Sequence, residues 1–525
     1  MAEVFLVVGP PGCGKTTFLA NEIADKAGKY GPEEILVTSF TKAAAMEIAS
    51  RGLPLPDRNV GTLHALCLHE YGEAKVIADT PKGLKLWNAV APPGYQMSGG
   101  RSGEDPFDKN EMKEADRTFA LYQRYRQRLI PRGYWAPHVL AMAQAWEDWK
   151  GQVHYPDFTD LLEFGLRELS FAPGMPSIMY VDEAQDLTPL QAALIRQWAE
   201  PMRYLVVVLD PDQCIYQWLG ANPSLFFNPD MLVDHRRVLG QSYRVPQAAY
   251  LASQKWIKQL EDREDTPYKP TDVAGSLEYS PAYWEYPDPL LEHINNLPPG
   301  EDMMVLASCG YMLNPLISLL RSNGIPFHNP YTNNRGDWNP LRPPGKDEKT
   351  TVSRVLSYLR PADSDTWWTG KELSDWTDML YADKLLVYGA KEKIKKLPDR
   401  GLAHSEVSPL FTDLGISLAR SFDPAWMEVY VRPDRKNILH YVLGIYKNYG
   451  LEGITKRPRV IVGTNHSVKG GQADHVAIFP DLSDEGNLEY QVEPGNVARP
   501  FYVAMTRTRN SLIFCSPTSA RSVSL

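Results

Sequence analysis

The stretch GPPGCGKT at residues 9–16 constrains the fold more than any other part of this 525-residue chain. It follows a continuous apolar run, Val4, Phe5, Leu6, Val7 and Val8, the pattern of a strand buried on both faces of a parallel sheet. It precedes Thr17, Phe18, Leu19, Ala20, Glu22 and Ile23, which suit a helix. Gly9, Gly12 and Gly14 therefore stand where a strand turns sharply into a helix and the backbone must come close to a ligand. There the amide N–H groups and the helix dipole favour phosphate oxygens, so Gly9, Pro10, Gly12, Cys13 and Gly14 read as a phosphate cradle, with Thr17 just beyond it on the nucleotide side. Lys15 is placed to reach the terminal phosphates, and the Thr16 hydroxyl to hold Mg²⁺.

The length suggests two to four domains rather than one core. A net charge of −9 argues against a generally basic nucleic-acid protein, yet leaves room for a locally basic groove. No apolar run is long enough to span a bilayer and the first residues lack a secretory pattern, so a cytoplasmic protein with no membrane partner is expected. Cys13, Cys67, Cys214, Cys309 and Cys515 are scattered, which indicates neither a zinc ribbon nor a disulfide framework.

After the first helix, residues 35–40, ILVTSF, read as a second strand, followed by a helix over TKAAAMEIASR. Phe40 falls at the strand's end, where it is either a core side chain, which the residue type alone favours, or a platform for a base. In VGTLHALC, Thr62 and His64 either contact a phosphate chain or cap local backbone. Residues 68–175 break the α/β rhythm and read as mostly helical. Within them RTFALYQRYRQRL mixes Arg124, Arg126 and Arg128 with Tyr122 and Tyr125, as a nucleic-acid surface or a solvated amphipathic helix would. The α/β pattern resumes at IMYVDE, a buried strand ending in Asp182, suited to Mg²⁺ through its water shell, and Glu183, suited to orienting or deprotonating a water. The strand YLVVVLD then leads into PDQCIYQWLGA, which offers Gln213 as a γ-phosphate sensor and Tyr216 and Trp218 as stacking platforms.

Together GPPGCGKTT, SFTKAAAMEI, GTLHALC, VDEAQD and DPDQCIYQWLGA, in this order, resemble the UvrD/Rep/PcrA group of superfamily 1 DNA helicases. YPDFTDLLE (155–163), LGQSYRVP (239–246), GTNHSVKGGQADHVAIF (463–479) and RPFYVAMTRTR (499–509) extend the resemblance over nearly the whole chain. It implies an α/β fold of two RecA-like P-loop NTPase cores, each carrying an inserted, mainly helical auxiliary domain. Residues 1–67 and 176–235 would form the first core and 68–175 its insertion. Residues 236–334 and 456–525 would form the second core, with 335–455 as a shortened insertion that holds Trp367, Trp368 and the basic run KEKIKK.

The resemblance also implies roles. Lys15, Thr16, Asp182, Glu183 and Gln213 keep those read above, with ATP and Mg²⁺ as cofactors. Arg244 and Arg507 would reach the γ-phosphate, Tyr243 would stack on adenine, and Gln472 would bind a ribose hydroxyl. Phe40, Tyr216 and Trp218 become base-stacking residues. Thr62, His64, His466, Ser467 and Lys469 would contact the DNA strand or relay cleft closure to it. Four positions depart from the family pattern: Thr17 stands where many members have arginine, Gly471–Gln472 where they read Leu-Glu, and Leu219 where an arginine is usual.

The expected activity is ATP-driven 3′ to 5′ translocation on single-stranded DNA with unwinding of tailed duplexes, in replication, repair or recombination, inside a bacterial or phage-infected cell. The alternative is a DNA-dependent ATPase subunit that regulates a nuclease or replication partner and unwinds little by itself.

Overall fold

A computed structural model describes residues 2–40, 48, 51–53, 55–72, 74–98, 113–222, 224–226, 233–261, 263–332, 336–345, 348–359 and 367–525. Most of the helix read over TKAAAMEIASR lies outside the described residues. The chain divides into two compact units, one made of Met1–Trp284, Leu306–Met312 and Gly463–Leu525, the other of Glu285–Val305 and Leu313–Val462.

The strands are β1 (Glu3–Val8), β2 (Ile35–Ser39), β3 (Val60–Gly61), β4 (Ile178–Asp182), β5 (Tyr204–Leu209), β6 (His235–Val238), β7 (Ser276–Ser280), β8 (Met303–Ala307), β9 (Phe327–His328), β10 (Val460–Thr464), β11 (Ala473–Ile478) and β12 (Thr508–Cys515). One sheet has the order β3-β2-β4-β5-β1-β6 and a second the order β7-β12-β11-β8-β10-β9. Pairing is parallel, as in β1 with β5, β2 with β4, β4 with β5 and β11 with β12. Two parallel sheets flanked by helices give the α/β architecture that two RecA-like lobes require.

In the first sheet, strand alternation sorts the core into two layers. Ile35, Val37, Ile178, Tyr180 and Val208 turn to one face and pack with Leu19 and Ile23 of helix α1 (Lys15–Tyr30). Leu36, Met179, Val181, Leu205 and Val207 turn to the other, with Leu161, Leu194 and Trp198. Each of these side chains contributes about 1.5–3 kcal/mol through burial, which is why both faces read as unbroken apolar runs.

Helix α2 (Leu63–Tyr71) starts on an N-cap from Thr62. After a short helix over Pro81–Asn88, helices α3 (Glu114–Gln127), α4 (Pro137–Val153) and α5 (Phe158–Glu168) also lie between β3 and β4 in the chain. A separate aromatic core with Trp87, Tyr122, Trp146 and Trp149 forms among the helices there. Helix α5 opens with a reciprocal capping box between Asp157 and Asp160, and α6 (Pro189–Ala199) with one between Thr188 and Gln191. At helix α3 the Arg/Tyr stretch divides: Arg124, Tyr125 and Arg128 are half-buried, and two of its members turn inward. Tyr122 and Arg126 are buried, and the Arg126 guanidinium meets Asp157, Asp160 and Glu163 instead of solvent or a ligand.

In the other unit, Tyr358, Trp368 and Trp376 pack ring against ring with centroids 5.0–5.8 Å apart. The Trp368 indole N–H donates to the Tyr358 carbonyl at 3.0 Å. Trp367–Trp368 therefore marks a packing centre, and KEKIKK overlaps the short helix Ala390–Ile394.

Candidate nucleotide site

The loop leaves β1 with the Gly9 N–H donating to the Leu209 carbonyl of β5 at 3.0 Å, and enters α1 through Gly12 and Gly14 at φ 74° and 75°. Those left-handed angles suit glycine alone without strain. A Cβ on Gly12 would also lie 2.7 Å from the Ser242 hydroxyl oxygen and 2.8 Å from the Arg244 Cβ. Residues 242–244 clasp the loop: the Ser242 hydroxyl and the Tyr268 hydroxyl each donate to the Pro11 carbonyl at 3.0 Å, and the Tyr243 N–H to Gly12 at 2.8 Å. Lys15 is buried and donates through Nζ to the Gly9 carbonyl at 2.7 Å, a partner it can exchange for a phosphate oxygen. Burial pushes the Cys13 thiol up to about 12, so it is an inert wall.

Asp182 ends β4, 3 % exposed. Glu183 follows in a left-handed conformation, φ 54°, which costs a non-glycine residue about 1–2 kcal/mol. Gln185 braces it, donating through Nε2 to the Glu183 carboxylate at 2.5 Å and accepting the Asp210 N–H at 3.0 Å. Lys469 reaches the same place. Its ammonium pairs with Asp186, lies 3.4 Å from the Glu183 carboxylate, and donates to the Gln213 carbonyl at 3.2 Å. Arg507, also buried, donates to the Gln213 side-chain oxygen at 2.6 Å and to the Val503 carbonyl at 2.9 Å.

The electrostatics follow from this crowding. Burial acts to raise the Glu183 pKa, but Lys469 and Lys15 outweigh it and hold the carboxylate at about 2. Asp186 and Asp210 go the other way, lifted by burial to about 6 against the pull of Lys469 and Lys15 respectively. Burial alone would lower Lys469, yet Asp186 and Glu183 raise it above the ordinary lysine range. Arg244 is depressed by burial, and its Nε is buried with no hydrogen-bond partner among the described residues. A cation in that state beside a glycine cradle fits a phosphate chain. The Thr16 hydroxyl at the head of α1 and the Asp182 carboxylate at the tip of β4 are hard oxygen donors, a set that would suit Mg²⁺.

The remaining expected residues separate. Phe40 and Tyr216 are neighbours, ring centroids 4.9 Å apart, with the Lys469 ammonium 5.5 Å from the Tyr216 ring. Trp218 is half-buried. Tyr243 is 78 % exposed, with its ring against Gly14. Thr17 is exposed and accepts from Arg51 at 3.2 Å, while Gln472 is exposed. Thr62 caps α2 by accepting the Ala65 N–H at 3.2 Å, and Ser467 donates to the Thr464 carbonyl at 2.9 Å, both local backbone duties. His64 stands edge-on to Phe158 at 5.7 Å, and burial lowers it to about 4. His466 is buried and likewise lowered to about 4, by burial and then by Lys469. Sequence reading missed Asp186, Asp210 and Ser242 as parts of the site. All three sit inside blocks already singled out, VDEAQD, DPDQCIYQWLGA and LGQSYRVP, which is the signal that could have found them.

This loop, acid pair and parallel sheet are similar to the arrangement of a P-loop nucleotide site, and residues 1–218 match a family model described as an AAA domain. The chain is 26% identical over 290 residues to the ATP-dependent DNA helicase PcrA of Bacillus subtilis, covering 49% of this chain and 38% of the relative. It is 27% identical over 286 residues to the ATP-dependent DNA helicase UvrD2 of Mycobacterium tuberculosis, covering 47% and 40%. It is 25% identical over 297 residues to a probable DNA helicase II homolog of Mycoplasma pneumoniae, covering 50% and 41%. The matched stretches thus span well under half of these relatives' lengths. They bear out the resemblance read from the motifs: this chain is similar to the UvrD/PcrA type of superfamily 1 helicase. Among the described residues, no helix is long and apolar enough to cross a membrane.

Proposed function

We propose that this protein hydrolyses ATP and couples turnover to 3′ to 5′ movement along single-stranded DNA, unwinding tailed duplexes as it goes. The observation that carries the reading is the meeting of Lys15, Glu183, Gln213 and Arg507 around one strand-end cluster, with Lys469 tying Gln213 to the acid pair. In this reading Lys15 and Arg244 hold phosphates, Glu183 orients and deprotonates the attacking water, and Arg507 balances charge developing on the transferred phosphoryl group. Thr16 and Asp182 would hold Mg²⁺, which when bound neutralises charge between the β- and γ-phosphates. Tyr243 takes the adenine and Gln472 the ribose.

Gln213 connects the two halves of the proposed cycle. Its side chain accepts from Arg507 while its own carbonyl accepts from Lys469, so a change of phosphate state at the cluster is felt at the loop bearing Tyr216 and Trp218. With Phe40 these aromatics would carry DNA bases. His64 and His466 then line the route rather than titrate, and Thr62, Ser467 and Lys469 hold its backbone and charge. Residues 68–175 and 335–455 are assigned as auxiliary domains of the two cores.

The test is ATP hydrolysis by the purified chain with and without single-stranded DNA, with Lys15→Ala as control, followed by duplexes tailed on either end. DNA stimulation that disappears in Lys15→Ala, with unwinding from a 3′ tail, is expected. Hydrolysis indifferent to DNA would overturn the reading. Stimulated hydrolysis without unwinding would favour a DNA-dependent ATPase subunit.

A further inference from the structure

A cavity of about 290 Å³ opens on the α1 side of the first sheet at its β6 edge, and none of residues 9–16 lines it. Register explains how it forms. Phe5 pairs with Val206 on one side and His235 on the other, and Val7 with Val208 and Arg237, so these side chains share one face. Among the described residues β6 is the last strand of the sheet, and the core layer beneath α1 runs out there. Val7 and Val206 are buried in the floor, and Phe5 lies beside them, stacked on His235 at 4.5 Å and edge-on to Tyr204 at 5.9 Å. Phe18, Glu22 and Lys26, four residues apart on α1, make the wall.

Two cations lie over rings of this wall. The Arg237 guanidinium sits 4.9 Å from the Phe18 centroid and the Lys26 ammonium 5.0 Å from that of Tyr204. Among the described residues neither has a carboxylate partner, whereas their neighbours do: His235 pairs with Glu3 and Arg236 with Glu264. Charge on an edge strand ordinarily blocks unwanted pairing, and that accounts for Arg236. It does not account for an arginine and a lysine laid on aromatic faces at an apolar hollow.

We propose that this hollow docks an extended acidic segment of a partner protein, which lays along β6, seats one large apolar or aromatic side chain over Phe5, and sets carboxylates against Arg237 and Lys26. Pockets that enclose whole small molecules run roughly 300–1,000 Å³. This one is at the lower limit of that range, the scale of a single anchor residue. An edge strand beside an apolar pocket is the usual geometry of strand addition, in which backbone bonds give affinity and the pocket gives specificity. Glu22, midway between Phe18 and Lys26, repels a carboxylate at the centre. The segment therefore carries its acids on either side of the anchor and none at it. This surface is independent of the DNA-coupled activity proposed above, because its residues belong to neither the phosphate cradle nor the acid pair.

The test is selection of short random peptides displayed on phage against the full chain, with binding of the winners measured on wild type, Arg237→Glu and Lys26→Glu. ATP hydrolysis, unchanged in both variants, reports that they are folded. Enriched peptides should carry one large apolar residue flanked by acids, and each charge reversal should weaken them at least about tenfold. Replacing the peptide acids by lysines should restore binding to the reversed variants. No enrichment, winners without acids, or binding indifferent to both reversals would overturn the proposal. So would a concentration-dependent dimer abolished by the same substitutions, which would make the occupant a second copy, or a mononucleotide that competes for the hollow.

Discussion

Two groups of buried charge differ in how completely they satisfy themselves. Between α3, α4 and α5, Arg126 donates to Asp157 at 3.0 Å, Asp160 at 2.6 Å and Glu163 at 2.7 Å. Asp157, fully buried, also accepts from Lys150 at 2.7 Å and the Trp146 indole at 3.0 Å. Burial alone would raise its pKa, but Arg126 and Lys150 hold the carboxyl far below the ordinary range. The exceptions are Asp160 and Asp79 at its rim, the latter lifted to about 7 by burial and by Asp157. At the ends of β4 and β5 the balance is poorer. Among the described residues Arg244 has no carboxylate partner, Asp186 and Asp210 stand near 6, and Glu183 holds a costly backbone angle. A buried cluster that closes on itself is architecture, whereas one that keeps unmet charge and strain is held ready for a ligand.

Substitution at each group breaks or sharpens that contrast. Glu183→Gln should lower the ATP turnover rate by roughly 10²- to 10⁴-fold, the usual worth of a positioned general base, with nucleotide affinity and melting temperature nearly unchanged. Steady-state hydrolysis and nucleotide titration check it. Arg126→Met should do the reverse. Among the described residues it leaves Lys150 as the single cation facing Asp157 and Asp160, with Glu163 unpaired, and should cost roughly 3–5 kcal/mol of folding stability, read by denaturant unfolding, with hydrolysis per folded molecule intact. If Arg126→Met left stability alone and removed hydrolysis, the division between architecture and ligand site would fail.

The contrast also explains what was legible beforehand. The cradle, the acid-ended strand and the parallel sheet could be read because each is local: a glycine pattern, an apolar run, two acids at its end. Arg126 could not. Its sequence neighbours, Tyr125 and Gln127, suggest a wet helix face, and its partners lie on α5, more than thirty residues away. Lys469 was open to either a DNA contact or a relay, because the SVKGGQA block carries no sign that Asp186 and Glu183 fold against it. Thr62 was readable either way, since a threonine before an apolar run is also an ordinary helix cap. The anchor hollow left no motif at all. It comes from a strand order that puts β6 at the edge, a tertiary property.

A smaller effect should appear in stability against pH. His466 has its pKa lowered from 6.5 to about 4, so the folded chain keeps it neutral while the unfolded chain protonates it below 6.5. That contribution is fully present above pH 6.5 and is lost as pH falls toward 4, by at most about 3 kcal/mol. Asp186 and Asp210, raised to about 6, act in the opposite sense, penalising the folded state as pH rises past their ordinary values. The difference between wild type and His466→Gln in unfolding curves at several pH values isolates the histidine. Equal slopes would mean that water reaches the ring in the folded state and the site is less sealed than the helical network.

Least in size, and most specific to the contrast, is the effect of Lys469→Met on the acid limb of the ATPase pH profile. Lys469 is the first of the cations that hold Glu183 near 2, and Lys15 remains when it is removed. The Glu183 pKa should therefore rise by about one unit rather than return fully to the carboxylate norm. One unit corresponds to about 1.4 kcal/mol of differential interaction. Because the base works only as a carboxylate, the acid limb should move up in pH by the same amount, with the plateau rate less affected. An unmoved limb would show that Lys469 serves only Asp186, and the acid cluster would then be two independent pairs. A shift much larger than one unit would show that Lys15 no longer faces Glu183 once phosphate is bound, which would place the loop lysine wholly with the nucleotide during turnover.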